Sequence, residues 1–165
     1  MRDWVVGGAL IVREERLLLV QNRRRNGSHD WTPPGGVIDA GETLLEGLTR
    51  EVREETGLNV TKWAGPIYEV RCEAPELGWR LRVEAHLAVA FNGEVHVDDP
   101  DGIVVDACFV DVAACSGLVD GGHPWVREPL GDWLAERWDH GYSRPYGFHV
   151  AGSDPASIVV TRPDS

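Results

Sequence analysis

Apolar residues fall in short runs near the start of the chain. Trp4 to Val12 and Arg16 to Asn22 each read as a strand, the second because RLLLVQN is too apolar and too short for a surface helix. The polar loop RRRNGSHDW follows, and then Pro33, Pro34, Gly35 and Gly36, which break regular structure. Strands are predicted again at Val60 to Arg71, Arg80 to Phe91 and Val104 to Val110, with loops at EAPELG and DDPDG between them.

A helical period appears twice. Leu44, Leu45, Leu48 and Val52 share one arc of a helix. Thr43 with Glu46 makes a capping box before it, and Gly57 supplies a left-handed terminator, so this helix runs from Leu44 to Thr56. In HPWVREPLGDWLAERW, one face carries Val126, Leu130, Trp133, Leu134 and Trp138, with Pro129 as a start or a kink. In the tail, GSDP is placed to turn a hairpin between Tyr146 to Val150 and Ser157 to Thr161. Strands flanking two separated helices predict an α/β fold, a mixed sheet covered on both faces.

Composition narrows this. With 165 residues and 42% apolar side chains the chain buries one core. A single domain over residues 1–165 is expected, with 141–165 as a C-terminal hairpin extension. A net charge of −11 and the lack of any long basic block argue against binding a nucleic-acid duplex. Cys72, Cys108 and Cys115 form no CxxC pair and suggest thiols in a reducing cytoplasm. Arg13, Glu14, Glu15 and Arg16 interrupt the first apolar run, which reads as a strand rather than a signal peptide or membrane anchor.

Charge on the first helix changes the picture most. Glu51, Glu54 and Glu55 stand at i, i+3 and i+4, and their stripe overlaps the edge of the leucine arc. Glu55 projects inside that arc and Glu51 lies at its border, where an unpaired carboxylate is costly to desolvate. Ion pairs with interleaved arginines explain many isolated glutamate-rich helices. Here the geometry asks for a positive partner, and oxygen ligands without histidine or cysteine favour Mg²⁺ or Mn²⁺ over zinc. Gly47, one turn earlier on the stripe, leaves room for a ligand to approach the backbone.

The flanks decide between these readings. Gly36, five residues, Glu42, seven residues, and then Arg50-Glu51-Val52-Arg53-Glu54-Glu55-Thr56-Gly57-Leu58 match the Nudix box at every specified position. The chain therefore resembles the Nudix hydrolases. That resemblance implies an α/β/α sandwich with the box as a loop-helix-loop, and metal-dependent cleavage of a pyrophosphate bond in a nucleoside diphosphate linked to another moiety. It implies that Glu51, Glu54 and Glu55 hold the metal with the Gly36 carbonyl, and that a box glutamate or a later one activates water. Glu42 and Arg50 are then the pair that ties the helix to its loop. The chemistry agrees with general principle, since cations offset the charge of a pyrophosphate and acidify bound water.

Outside the box, Arg23 is the favoured phosphate contact among Arg23, Arg24 and Arg25. Asp101 is the favoured extra acid, with Asp98, Asp99 and Glu84 as alternatives; Ile103 stands near where many relatives have a glutamate. Trp31 and Trp79 are candidates to stack a base, and the histidines have no paired ligand spacing. Pro75, near the position of a subgroup proline, favours ADP-ribose or a similar nucleoside diphosphate sugar. The alternatives are a nucleoside triphosphate pyrophosphohydrolase that clears non-standard nucleotides and a non-catalytic nucleotide-sensing module. The expected partner is a nucleotide-type small molecule, with no membrane, and the resemblance adds a homodimer.

Overall fold

The computed structural model describes residues 1–163. Its elements in chain order are β1 (Arg2–Leu10), β2 (Val12–Arg13), β3 (Arg16–Arg23), β4 (His29–Thr32), β5 (Gly35–Val37), α1 (Leu44–Thr56), β6 (Asn59–Ala74), β7 (Trp79–Asn92) and β8 (Val104–Asp111). Helices α2 (Val112–Val119) and α3 (Pro124–Glu136) follow, then β9 (Arg144–Ala151), a short 3₁₀ turn at Pro155–Ser157 and β10 (Val159–Thr161).

Six strands form one mixed sheet in the order β10-β9-β6-β7-β1-β5, in which β1 runs parallel to β7 and β9 parallel to β6. A smaller antiparallel sheet is built on β3, which pairs with β2, β4 and β8. The apolar run RLLLV is explained by its place between two cores. Leu17 and Leu19 join Leu10, Val70, Leu130, Trp133 and Phe148 under α2 and α3, while Leu18 joins Ala9, Ile11, Leu48 and Val52 under α1. Alternate side chains of one strand are buried on opposite faces, so the strand is apolar throughout. The result is the expected α/β/α sandwich with a mixed sheet.

Helix α1 starts and stops where its caps dictate. Thr43 Oγ1 accepts from the Glu46 N–H at 3.2 Å and Glu46 Oε1 accepts from the Thr43 N–H at 3.0 Å. Gly57 ends the helix at φ 79°, its N–H donating to the Arg53 carbonyl.

Several expectations need correction. Pro33 and Pro34 do interrupt regular structure between β4 and β5, but the two glycines do not: Gly35–Val37 forms β5, antiparallel to β1. Only glycine permits this, since Gly35 has φ 154° and a Cβ there would lie 2.0 Å from the Gly7 carbonyl oxygen. The RRRNGSHDW loop is shorter than expected, because β3 runs to Arg23 and β4 begins at His29. Of the two readings of Pro129, the helix start is overturned: α3 begins at Pro124 and carries Pro129 inside it; the helix stops at Glu136, and Trp138 packs on the core from beyond it. Helix α2 was not anticipated. VAACSGLV has no polar stripe opposite an apolar one, so no helical period is visible.

Leu48 is fully buried and touches the space above Gly7, pinning α1 to β1. Leu48→Ala is expected to destabilise the chain by about 2–5 kcal/mol, the usual cost of emptying such a site. Urea unfolding monitored by tryptophan fluorescence reads this directly; a loss under about 1 kcal/mol would show that α1 is not anchored there.

Candidate active site

The box residues come together on one wall of a cleft of about 710 Å³. Glu51, Glu54 and Glu55 line it from α1, Gly35 and Gly36 from β5, and Asp99 and Asp101 from the loop before β8. Its floor is apolar, with Val6 from β1, Leu81, Val83 and Ala85 from β7, and Tyr68 from β6. Trp125 and Val126 enter from the first turn of α3. Its volume lies in the range of sites that take a nucleotide-sized molecule.

Arg50 organises the acidic wall. Its Nε and Nη2 donate to the two carboxylate oxygens of Glu42 at 2.8 and 2.9 Å. Its Nη1 donates to Glu51 and to Glu54, each at 3.2 Å, and Asp39 lies 3.3 Å away. One guanidinium thus meets four carboxylates, and the bidentate bond to Glu42 ties helix to loop. This hydrogen bonding pulls the Glu42 carboxyl down to about 2. Among the described residues, Arg50 is the one cation paired with Glu51 and Glu54, and it is shared with Glu42 and Asp39.

Glu55 is different. It is 8% exposed, and its Oε2 accepts from the Gly35 N–H at 3.0 Å. Burial pushes its carboxyl up to about 8, with Glu51 and Asp99 adding to the effect and the Gly35 bond opposing it. Burial also raises Glu51, against the pull of Arg50. Gly36 lets the backbone approach the Glu51 carboxylate closely; a Cβ there would lie 2.8 Å from its Cδ. Gly47 leaves no such room, contrary to expectation, because Ile38 and Glu42 fill the space beside it.

The other expected site residues are placed as follows. Asp101 lines the cleft together with Glu51, close enough for their charges to interact. Asp99 lines it too, and its carboxylate holds the loop by accepting from the N–H groups of Asp101, Ile103 and Val104. Glu84 is not among the lining residues; it bonds Arg82 at 2.7 Å and His86 at 3.0 Å. Arg23 is not among them either, and reaches the Gly102 carbonyl at 3.5 Å, whereas Arg24 lines the cleft and is bound to Asp30. Trp31 and Trp79 pack on the core, and Trp125 is the tryptophan at the cleft. Sequence reasoning passed over Asn22, Thr32 and Trp125, whose only signal was position at a strand or helix end.

Residues 1–134 match the model of the NUDIX domain. The chain belongs to the NUDIX family. It is 38% identical over 56 residues to the human 8-oxo-dGDP phosphatase NUDT18, a stretch that is 34% of this chain and 17% of that protein. It is 51% identical over 37 residues to the mouse bis(5'-nucleosyl)-tetraphosphatase (asymmetrical), covering 22% of this chain and 25% of the relative. The chain thus matches a quarter or less of the length of either relative. A MutT NUDIX hydrolase from Burkholderia pseudomallei has a similar structure, with a TM-score of 0.60, 29% identity, and coverage of 68% of this chain and 86% of its own.

NUDIX hydrolases generally use divalent metal ions. The residues present fit one in chemistry: all donors are oxygens, two of the carboxylates are destabilised in their charged form by burial, and the Gly36 backbone lies against Glu51. As they stand, the carboxylates turn to Arg50 and Gly35, and among the described residues no three acidic, histidine or cysteine ligands gather round one point. No helix among those residues is long and apolar enough to cross a membrane.

The raised Glu55 carboxyl makes stability depend on pH. Its folded value, about 8, exceeds the reference 4.5, so its contribution is fully present below 4.5 and is lost as pH rises through 8. In EDTA, the native chain is expected to lose a few kcal/mol, to order of magnitude, between about pH 5 and pH 8 through this group. Glu55→Gln removes that dependence. Urea midpoints across pH that fall equally in wild type and variant would contradict the assignment.

Proposed function

We propose that the chain is a pyrophosphohydrolase that cuts a phosphoanhydride bond in a nucleoside di- or triphosphate. The observation that carries this reading is the stripe of Glu51, Glu54 and Glu55, held at the border of a buried helix face on the wall of a nucleotide-sized cleft. The names of the relatives, directed to 8-oxo-dGDP and to a bis(5'-nucleosyl) tetraphosphate, support the same class of substrate. The finer expectation of ADP-ribose rests on Pro75, which follows β6 and is not a cleft residue.

In this reading Glu51, Glu54 and Glu55, with the Gly36 carbonyl, hold Mg²⁺ or Mn²⁺. Such an ion, when bound, would offset the charge of the diphosphate and lower the pKa of water bound to it. Glu54 has the most exposed carboxylate of the three and, among the described residues, bonds Arg50 alone, so it takes the proton of the attacking water. The oxygen of that water forms a bond to phosphorus, the bridging P–O bond breaks, and its electron pair leaves with the departing phosphate. Arg50 keeps Glu51 and Glu54 in place, and the apolar floor receives the nucleoside. The homodimer and the cytoplasmic setting belong to the same proposal.

Glu54→Gln and Glu55→Gln are each expected to lower kcat/KM at least about a hundredfold with the fold intact. Product identification on a nucleotide panel fixes the bond: pyrophosphate from a triphosphate, or two monophosphates from a nucleoside diphosphate sugar. Near-normal rates in both variants would contradict the roles given to these glutamates, whereas a panel left uncut with Mg²⁺ and Mn²⁺ would favour a non-catalytic sensing module.

A further inference from the structure

One polar chain at the cleft has no part in the chemistry above. Arg24 donates to both carboxylate oxygens of Asp30, at 2.7 and 2.9 Å. Asp30 Oδ1 accepts from Asn22 Nδ2 at 3.0 Å, and the same nitrogen donates to Thr32 Oγ1 at 2.9 Å. Asn22 faces Asp30 directly across the β3–β4 pair. It is only 7% exposed, yet it lines the cleft together with Arg24 and Thr32.

This chain leaves Asn22 with one orientation. Both protons of its amide nitrogen are used, and a flipped amide would set a carbonyl oxygen against the Asp30 carboxylate. Its Oδ1 therefore stays an acceptor, and among the described residues no donor reaches it. Thr32 Oγ1 already accepts from Asn22, so its own proton is free, and no acceptor among those residues takes it. Among the described residues the one buried side-chain polar atom without a partner is Ser143 Oγ, so the Asn22 oxygen keeps accessible surface while its residue lines the cleft. The register of β3 on β8 also shifts between Gln21 and Asn22. Such bulges re-aim a side chain and are frequent beside active sites. The cleft thus carries a fixed acceptor next to a free donor, on a wall apart from the glutamates.

We infer that Asn22 determines specificity: its carbonyl, with the Thr32 hydroxyl beside it, reads a nucleobase edge that sets an N–H donor next to an acceptor. Asp30 is the positioning residue that holds the amide in that sense, and Arg24 keeps Asp30 in place. This rests on the nucleotide reading of the cleft given above. A base edge with its N–H blocked leaves that carbonyl unpaired under the bound base, and a site built in this way rejects such an analogue.

The test is calorimetric binding to the full chain in EDTA, comparing GMP with N1-methyl-GMP and AMP with N6,N6-dimethyl-AMP. The wild type is expected to prefer the unmethylated member of at least one pair by about tenfold, the scale of one well-made hydrogen bond. In Asn22→Ala that preference falls to within about twofold of unity, since the lost acceptor no longer senses the methyl group. Asp30→Asn, at a less buried position, gives the same collapse because Asn22 is then free to turn. A role confined to folding would change unfolding temperature and leave the ratio intact. Equal ratios in wild type and both variants, or no preference in either pair, overturn the inference. If the wild type cleaves no nucleoside di- or triphosphate with Mg²⁺ or Mn²⁺, the functional reading falls, and the inference with it.

Discussion

The site depends on carboxylates held where water cannot fully solvate them. Arg50 makes this possible by bonding Glu42 with two nitrogens and spreading a third over Glu51 and Glu54. Removing one partner of such a cluster leaves charge uncompensated, and this costs more than the cluster itself contributes. The arrangement is therefore better explained by what it presents to the cleft than by the stability it confers. Glu55 makes the point most sharply, since its burial penalises the very charge that a hard cation would restore.

Backbone geometry carries as much of the site as side chains do. Gly35 and Gly36 add β5 to the edge of β1 where a Cβ at Gly35 would collide with the Gly7 carbonyl. That strand brings the Gly35 N–H to Glu55 and the Gly36 backbone to Glu51. Leu48 and Val52 fix α1 from below through the core shared with Ala9, Ile11 and Leu18. The acidic wall is thus set by two rigid attachments, one apolar and one through the loop pair of Glu42 and Arg50.

Helix α1 and its acidic stripe were legible in the sequence because every signal there is local: caps, a helical period, and spacings within a few turns. The strands β1, β3, β6, β7 and β8 were legible from their apolar runs. Elements without such a run were not. Gly35–Val37 carries no propensity for a strand and becomes one only through β1, and α2 is a helix of small residues with no contrast between its faces. Asn22, Asp30 and Thr32 are separated by the turn at the end of β3 and meet only when β4 pairs with it. In the same way Glu84 and Asp101 look alike as isolated acids, and only the facing of β7 sends one away from the cleft and leaves the other in it.

The central claim is that the three glutamates form one cation site whose occupation restores charge to Glu55. Mg²⁺ or Mn²⁺ titration by calorimetry near pH 7, repeated in buffers of different ionisation enthalpy, tests it most directly. The account predicts saturable binding that releases up to about one proton per chain, because a carboxyl raised to about 8 is mostly protonated at that pH. Glu55→Gln should abolish that release. Absence of binding, or binding with no proton released and unaltered in Glu55→Gln, would contradict it.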